Sequence, residues 1–587
     1  MDFLMTEPQR THWVHAADWR TTSLPVENIA LHFEYVRKAD APAVRMPDTL
    51  TPGEVLDELQ VYLTGDVPET GSLLLHLPYA HIKDDPSHIS VDGGKWLWMF
   101  PLLEVFLPVN KIVVRNFPIP EQPERILLES FIRCSDGKVL NLPEAPIEIG
   151  DMPPERAEVR LSSNFSGGKL RYSVVAEQPA AQRFMADRLC NDTVPVEIAG
   201  QKLEVKLQNG VAAGSIPLPG NTAMQAKSVY LNTECESNLV DPGFAADLNL
   251  QLFWGDIHVH SHESDGIGEP EAIVERARDW QKLDFMAFQE HIEHNTTWRI
   301  WRPEKWQKLK SLYDRSTVDG EFVIIPGYEF RGFCNMWCFS DEYTDSLSSY
   351  MNCDESSPMH GLIHKEWDDD QVLIRRRIME TAAKPDWLVG YHRLELIKDQ
   401  QACLPPAVQF LQMAHYKRPP EVGSADYLLR GDRVGFFGST DTHLGMPGTG
   451  FKGPREANSG LTAVWAEELS RSGLHKALRQ RNCYASLGAR TLLDVRVNGV
   501  FMGGECITPD GSPIELTVRA CGRERLAGFE IVSRGQDVEH HDLNGKKCFE
   551  YTYKTRKYGV DDDYFFVRIH LEDGRMLWSS PNWCVHK

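Results

Sequence analysis

The spacing of apolar positions changes twice along the chain and so divides it into three stretches. Between about residues 25 and 250, short apolar runs alternate with polar positions inside Pro, Gly and Asp clusters: Ile29–Val36, Ser72–Leu77, Lys111–Arg115 and Leu203–Leu207. Alternation of this length marks half-buried strands. The clearest helical spacing in this half is Pro52–Leu63. The pattern predicts one or two β-rich modules over 1–249, sandwich-like, with a Pro/Glu-rich joint near 141–156 and no catalytic constellation.

From Leu250 onward, apolar strands alternate with amphipathic helices. Glu269–Trp280 places Pro270 in the first turn and acidic residues where the helix dipole favours them, and it leads into the strand Asp284–Gln289. The alternation continues through Pro303–Arg315, Phe322–Ile325, Val372–Ala383, Trp387–Tyr391, Val434–Phe437 and Leu461–Trp465. Repeated units of this kind with largely apolar strands predict a mostly parallel sheet over 250–490, closed or nearly closed into a barrel. After Leu492 the pattern reverts to strands, at Leu493–Val497, Ile514–Val518, Phe529–Val532, Tyr564–Ile569 and Met576–Trp578. A compact β-sandwich over 491–587 is the expected form.

At 587 residues the chain is too long for one core, in keeping with several domains. The balance of 84 acidic against 62 basic residues gives −22 at pH 7, which opposes an extended nucleic-acid partner. The opening residues lack a basic region followed by an apolar core, and no run of about 18 apolar residues occurs, so no membrane partner and a cytoplasmic location are expected. Twelve cysteines are scattered without a repeated C-x-x-C, which predicts reduced, mostly buried thiols.

Candidate chemistry gathers at the ends of the predicted strands. In Gly255-Asp-Ile-His-Val-His260, residues i and i+2 of an extended segment share a side, so His258 and His260 converge on one point. Asp265 follows a short turn later. Glu290 and His291 end the next strand, Glu329 follows Ile324–Tyr328, His392 ends Leu388–Tyr391, and Asp441 and His443 follow Phe436–Thr440. Five strands each deliver a His or a carboxylate at the C-terminal end, the rim where parallel barrels build active sites. An imidazole and carboxylate set without thiolates suits Zn2+, Mn2+ or Fe2+. It holds more ligands than one four-coordinate ion can use, so at least two ions are implied, with Glu329 as the shared carboxylate.

The same residues carry a resemblance to the PHP (polymerase and histidinol phosphatase) superfamily of metal-dependent hydrolases. Gly255–Gly266 resembles its H-x-H-T-x-x-S-D-G opening, Leu283–His291 its L-D-f-i-a-i-T-D-H element, and Gly438–His443 its closing D-x-H. More narrowly, Tyr427–Gly445, Gly460–Ala466, Arg481–Arg490 and Trp578–Trp583 are similar to the carbaryl-hydrolase branch (CehA/McbA type). The resemblance covers 250–587. It implies an α/β chain with a PHP-type distorted (β/α)7 barrel, flanked by N-terminal β-rich modules and a C-terminal β-sandwich. Carried over by position, it implies one ion held by His258, His260, Glu329 and Asp441, and another sharing Glu329 with His392. Asp265, His291 and His443 would complete the second or hold a third. Glu290 stands where the superfamily has Asp, and Gly332-Phe-Cys-Asn-Met336 lacks a His that members often carry. That leaves Cys334 either as a thiolate substitute or as an inert packed residue. His262, His294, His360, His364 and His415 match no family position and read as structural or exposed.

The implied chemistry is hydrolysis by a metal-bridging hydroxide, with two or three divalent ions (Mn2+, Zn2+ or Fe2+) and Asp441 or His443 moving a proton to the leaving group. Glu290 joins the catalytic set, and Arg393 and Arg331 are placed to bind an anionic substrate oxygen. The expected substrate is a small molecule, a phosphate mono- or diester first and a carbamate or carboxylic ester as the alternative. The second is favoured by aromatic residues at Trp298, Trp301, Phe330, Phe333 and Trp337. A catalytically dead barrel serving as a binding module is a third reading, and a homo-oligomer is left open.

Overall fold

The computed structural model of the chain describes residues 24–586, apart from 292–302, 331–333, 341–377, 393–408, 415–423, 449–459, shorter stretches mostly before residue 190, and positions 262, 265, 267, 268 and 444. They form two units. One comprises the described residues of 1–154 and 177–190, and the other those of 155–176, 191–291 and 303–586.

In the first unit a six-stranded and a four-stranded sheet share one apolar core that includes Leu31, Leu59, Leu73, Val105 and Val114. The segment with helical spacing is a strand here. Val55–Gly65 pairs antiparallel with Ile29–Val36 on one side and Val109–Pro118 on the other. Leu56, Leu59 and Leu63 sit three and four residues apart, as on one helix face, yet the pleat sends Leu56 to one side and Leu59 and Leu63 to the other. Leu56 and Leu59 are both fully buried, so core lies on both faces and masks the alternation.

The second unit holds the predicted strand-end residues. Its strands are numbered β1 (Gln251–Val259), β2 (Phe285–Phe288), β3 (Val323–Ile325), β4 (Gly327–Phe330), β5 (Cys334–Cys338), β6 (Trp387–Tyr391), β7 (Phe410–Ala414), β8 (Gly435–Gly438), β9 (Leu461–Ala466) and β10 (Cys483–Ser486). They continue as β11 (Leu492–Val497), β12 (Pro513–Ser533), β13 (Gln536–Arg556), β14 (Asp563–Leu571) and β15 (Met576–Ser579). Helix Pro270–Glu275, with Pro270 in its first turn, and helix Pro303–Ser316 fall where the periodicity placed them.

The expected (β/α)7 barrel is not what these strands build. Of the described residues 55% are strand and 12% helix, and they form many sheets with no closed barrel. One sheet runs β3-β2-β1-β9-β10-β15-β14-β12-β11, and a separate five-stranded sheet runs β4-β5-β6-β7-β8. β1, β2 and β3 are parallel, but β9 joins β1 antiparallel, with Trp254 opposite Ala463. β4, β5 and β6 are likewise antiparallel neighbours. Instead of returning to close a ring, the first sheet continues into the C-terminal strands, where Ala485 of β10 pairs with Trp578 of β15. Those strands are hydrogen-bonded to this sheet through β10 and β15. Continuous apolar runs mislead here because a strand buried on both faces looks the same whether its neighbours are parallel or not; β1 is buried from Leu252 to Val259.

The two sheets meet at two single parallel bridges, Val259 with Thr442 and His291 with Glu329. Both lie at strand ends that carry candidate ligands. Cys521 and Cys548 oppose each other across β12 and β13 and form a disulfide, contrary to the all-thiol expectation. Cys334, Cys338, Cys483, Cys506 and Cys584 are buried. Among the described residues no helix is long and apolar enough to cross a membrane.

The entry to β1 and β2 is tied by a buried carboxylate. Asp284 accepts the Trp254 amide at 2.8 Å and the Ser162 hydroxyl at 2.5 Å. Burial pushes its pKa up, and these donors oppose the shift. Asp284→Ala leaves two buried donors without an acceptor and should cost about 2–3 kcal/mol; Asp284→Asn, which keeps one accepting oxygen, should cost less. Urea denaturation followed by tryptophan fluorescence reads both, and an unchanged midpoint for the Ala variant would refute the role.

Candidate metal centre

Strand periodicity puts Asp256, His258 and His260 on one side of β1 and its extension, so the first of the three shares the environment of the other two. Asp256 is fully buried and accepts the hydroxyls of Ser439 and Thr440, each at 2.5 Å, the Thr440 amide at 3.1 Å and the Gly448 amide at 2.9 Å. These bonds clamp the loop after β8 against β1. Gly460 allows the same close approach from β9, because a Cβ there would lie 2.1 Å from the Ser439 carbonyl oxygen. Asp441, next along the clamped loop, takes a left-handed conformation, φ 51°. Its carboxylate lies 3.3 Å from His258 Nε2 and 3.0 Å from His260 Nε2.

Glu329 enters from β4. Its Oε2 lies 3.1 Å from His258 Nε2, 3.3 Å from His260 Nε2 and 3.5 Å from His291 Nε2, while Oε1 lies 3.1 Å from His392 Nε2. One carboxylate thus faces four imidazoles, with its two oxygens pointing to different partners. Burial alone would raise its pKa, but the His291, His392 and His258 rings hold the carboxyl well below the usual carboxylate range. Burial lowers His392 to about 3 against the pull of Glu329. The His443 ring stacks on His260 with centroids 4.0 Å apart, and its Nδ1 is 3.5 Å from Asp441 Oδ1.

His258, His260, Glu329 and Asp441 form one group whose ligand atoms all lie within 4.8 Å of one another, and His260, His291 and His443 form another. His258 Nε2 and His260 Nε2 are themselves only 3.0 Å apart. Nitrogen lone pairs and carboxylate oxygens packed this closely, in a pocket where His258 and His260 are fully buried, repel one another unless positive charge sits among them. The donor set fits a divalent cation of the zinc, manganese or iron type. A single Nε2 ligates one ion, so His260 completes either group but not both. The four-donor group uses it more fully, leaving His291 beside the same Glu329 oxygen, His443 beside the same Asp441 oxygen and His392 at the other oxygen of Glu329.

The structure therefore gathers His258, His260, His291, Glu329, His392, Asp441 and His443. Glu290 is set apart. Its oxygens accept the Ser261 amide at 3.0 and 3.2 Å, the Ser261 hydroxyl at 2.5 Å and the Ser264 hydroxyl. Burial pushes its pKa up to about 7. It holds the loop after His260 and lies in neither ligand group. Cys334 packs in the apolar core, and Trp337 is buried with its indole donating to the Ile257 carbonyl at 2.9 Å. Asp265, Arg331 and Arg393 lie outside the described residues, as do His262, His294, His360, His364, His415, Trp298, Trp301 and Phe333. Sequence reasoning passed over Asp256, Ser261, Ser264 and Asn335. The period-two phase of Asp256-x-His258-x-His260 carried a signal for the first. Asn335, whose amide lies 3.0 Å from His258 Nδ1, is brought there by strand register; it falls in Gly332-Phe-Cys-Asn-Met336, a stretch read only for its missing His.

Comparison with known proteins adds the following. The family described as "Protein of unknown function (DUF3604)" matches residues 448–508. An uncharacterized protein of Chlamydia trachomatis is 31% identical over 144 residues, 22% of this chain and 23% of that relative. An uncharacterized protein of Chlamydia pneumoniae is 22% identical over 368 residues, 58% of each. The matches thus span less than two thirds of either relative's length. Among solved structures, a two-domain protein of Bacteroides vulgatus, described as containing a predicted PHP-like metal-dependent phosphoesterase, aligns with 57% of this chain and 96% of its own. Its identity is 14% and its TM-score 0.31. Fibronectin(III)-like modules of CbhA from Clostridium thermocellum align with 16% of this chain and 97% of their own, at 9% identity and a TM-score of 0.13.

The separation of Glu290 from the ligand groups is directly testable. Glu290→Gln should leave Zn2+ binding in place, whereas Glu329→Gln should eliminate it. Glu290→Ala should also bind metal but lose about 1–3 kcal/mol of stability, because the Ser261 and Ser264 donors are left unpaired. Equilibrium dialysis with metal analysis, beside thermal unfolding, distinguishes them; loss of metal in Glu290→Gln would make that residue a ligand.

Proposed function

We propose that the chain is a divalent-metal-dependent hydrolase whose first substrate class is a small-molecule phosphate mono- or diester. The observation that carries this reading is the buried group His258, His260, Glu329 and Asp441, with the second oxygen of Glu329 facing His392. A divalent cation held by these donors supplies Lewis acidity, acidifying water near neutral pH and neutralising charge that builds on the attacked group.

The side chains divide the remaining work. Glu329, kept ionised by the rings around it, and Asp441 supply two negative charges to the cation site. Burial keeps water out and strengthens every electrostatic interaction there. His443 differs from the other imidazoles in exposure: its side chain is 23% accessible, against 0% for His258. Touching Asp441 on one side and open to solvent on the other, it is the group placed to carry a proton between the site and bulk water. A carbamate or carboxylic ester is the second reading. It rests on Tyr427–Gly445 and Trp578–Trp583, the stretches similar to the carbaryl-hydrolase branch.

Nitrophenyl phosphate, bis-nitrophenyl phosphate, nitrophenyl acetate and naphthyl carbamate, each assayed with added Mn2+ or Zn2+, separate the two. Phosphatase activity that a chelator abolishes and metal restores is expected, and ester turnover with no phosphatase activity would reverse the order. His258→Ala and His260→Ala should each abolish turnover while the far-ultraviolet circular dichroism stays that of the wild type. A variant with near-full activity would show that the reaction does not use this group.

A further inference from the structure

His258 can serve as a ligand only if its Nε2 lone pair is free. A neutral imidazole carries one ring proton, so that proton must then sit on Nδ1. The group that faces Nδ1 decides the matter, and it is the side-chain amide of Asn335, 3.0 Å away. Both side chains are fully buried, so no bulk water competes for the contact. Asn335 lies on β5 directly opposite Glu329 of β4 and Gly390 of β6. The pairings that deliver Glu329 and, two residues past Gly390, His392 therefore also fix this amide beneath His258.

An amide has a donating and an accepting end, and its two orientations have opposite consequences. With Nδ2 toward the ring, His258 accepts on Nδ1 and carries its proton on Nε2. That proton faces His260 Nε2 at 3.0 Å, Glu329 Oε2 at 3.1 Å and Asp441 Oδ1 at 3.3 Å, and the ring is no ligand. In this orientation, among the described residues, Asn335 Oδ1 is buried with no hydrogen-bond partner, a costly state for a polar atom. A half-turn of the amide brings Oδ1 to Nδ1, where it accepts the ring proton and leaves Nε2 free. Oxygen and nitrogen of an amide are told apart by such networks and not by shape.

We propose that Asn335 is a positioning residue that sets the tautomer of His258. Its two amide orientations correspond to two forms of the site, one with a proton shared between His258 Nε2 and Glu329 and one with Nε2 released to a cation. This rests on the reading of the group as a metal site. It goes beyond that reading by assigning the switch to a residue that touches neither cation nor substrate. A ring nitrogen held by an acceptor is the usual outer support of a metal-bound imidazole, and here a neutral amide, able to turn, takes the place of a fixed carboxylate.

The test is the affinity of the full-length chain for Zn2+ and Co2+, measured by competition with a chromophoric chelator. Wild type, Asn335→Asp, Asn335→Leu and Asn335→Ser are compared, each with and without His258→Ala. Thermal unfolding of the metal-free proteins checks folding, and Asn335→Ser, which adds no bulk, carries the test where the Leu variant does not fold. Leu and Ser should weaken binding about 10–100-fold, while Asp, an acceptor in either orientation, should hold it at or above wild type. In the His258→Ala background the same changes should add nothing. Wild-type affinity in Leu and Ser, an equal loss in Asp, or an undiminished loss without His258 would each overturn the assignment. A wild-type chain that binds neither metal would refute the proposed function itself, and the inference with it.

Discussion

The carboxylate of Asp256 is the contact on which the candidate site depends. Buried at the centre of β1, it accepts two hydroxyls and two amides from the segment between Ser439 and Gly448. Burial raises its pKa and those donors oppose the rise. A buried carboxylate without such donors would be costly. With them it becomes an anchor that fixes a loop to a strand, and the loop it fixes carries Asp441 and His443. Two of the seven candidate ligands, Asp441 and His443, therefore reach the other five through a residue that lies in neither candidate group.

Strand pairing supplies the rest. His291 and Glu329 are bridge partners, and so are Val259 and Thr442, neighbours of His260 and Asp441. The site sits where two sheets touch at their strand ends, so its geometry follows from two local junctions and not from closure of a ring. That is why strand-end placement of the ligands survives although the expected (β/α)7 barrel does not. The chemistry needs only that several strands terminate at one point, and mixed sheets meet that need as well as parallel ones do.

The convergence of the candidate ligands was legible because strand periodicity and residue type act locally. His258-x-His260 shares one side by the pleat alone, and the apolar runs before Glu290, His392 and Asp441 mark strands whatever their neighbours are. The pairing of those strands was not legible. Nothing in Leu461–Ala466 says that it lies antiparallel to β1, since full burial on both faces erases the alternation that separates the two arrangements. The same loss turned Val55–Gly65 into an apparent helix. The Cys521–Cys548 bond escaped for a related reason, since only the register of β12 against β13 brings residues 27 apart into opposition.

Register also sorts the carboxylates that composition leaves equivalent. Glu290 and Glu329 are both buried glutamates at strand ends, adjacent to the same histidines in sequence or across a bridge. Glu290 turns toward hydroxyls and an amide, and burial carries its pKa up to about 7. Glu329 turns toward four imidazoles and stays far below its ordinary value. Burial raises both; the donors around Glu290 offset only part of that rise, whereas the rings around Glu329 outweigh it. A carboxyl that titrates near neutrality among hydrogen-bond donors shapes a loop, whereas one held ionised among ring nitrogens supplies the charge a divalent cation requires. Asn335 extends the same logic to a neutral side chain: placed opposite Glu329 by the β4–β5 register, it touches the far nitrogen of His258 and so bears on whether the near one holds a proton or a metal.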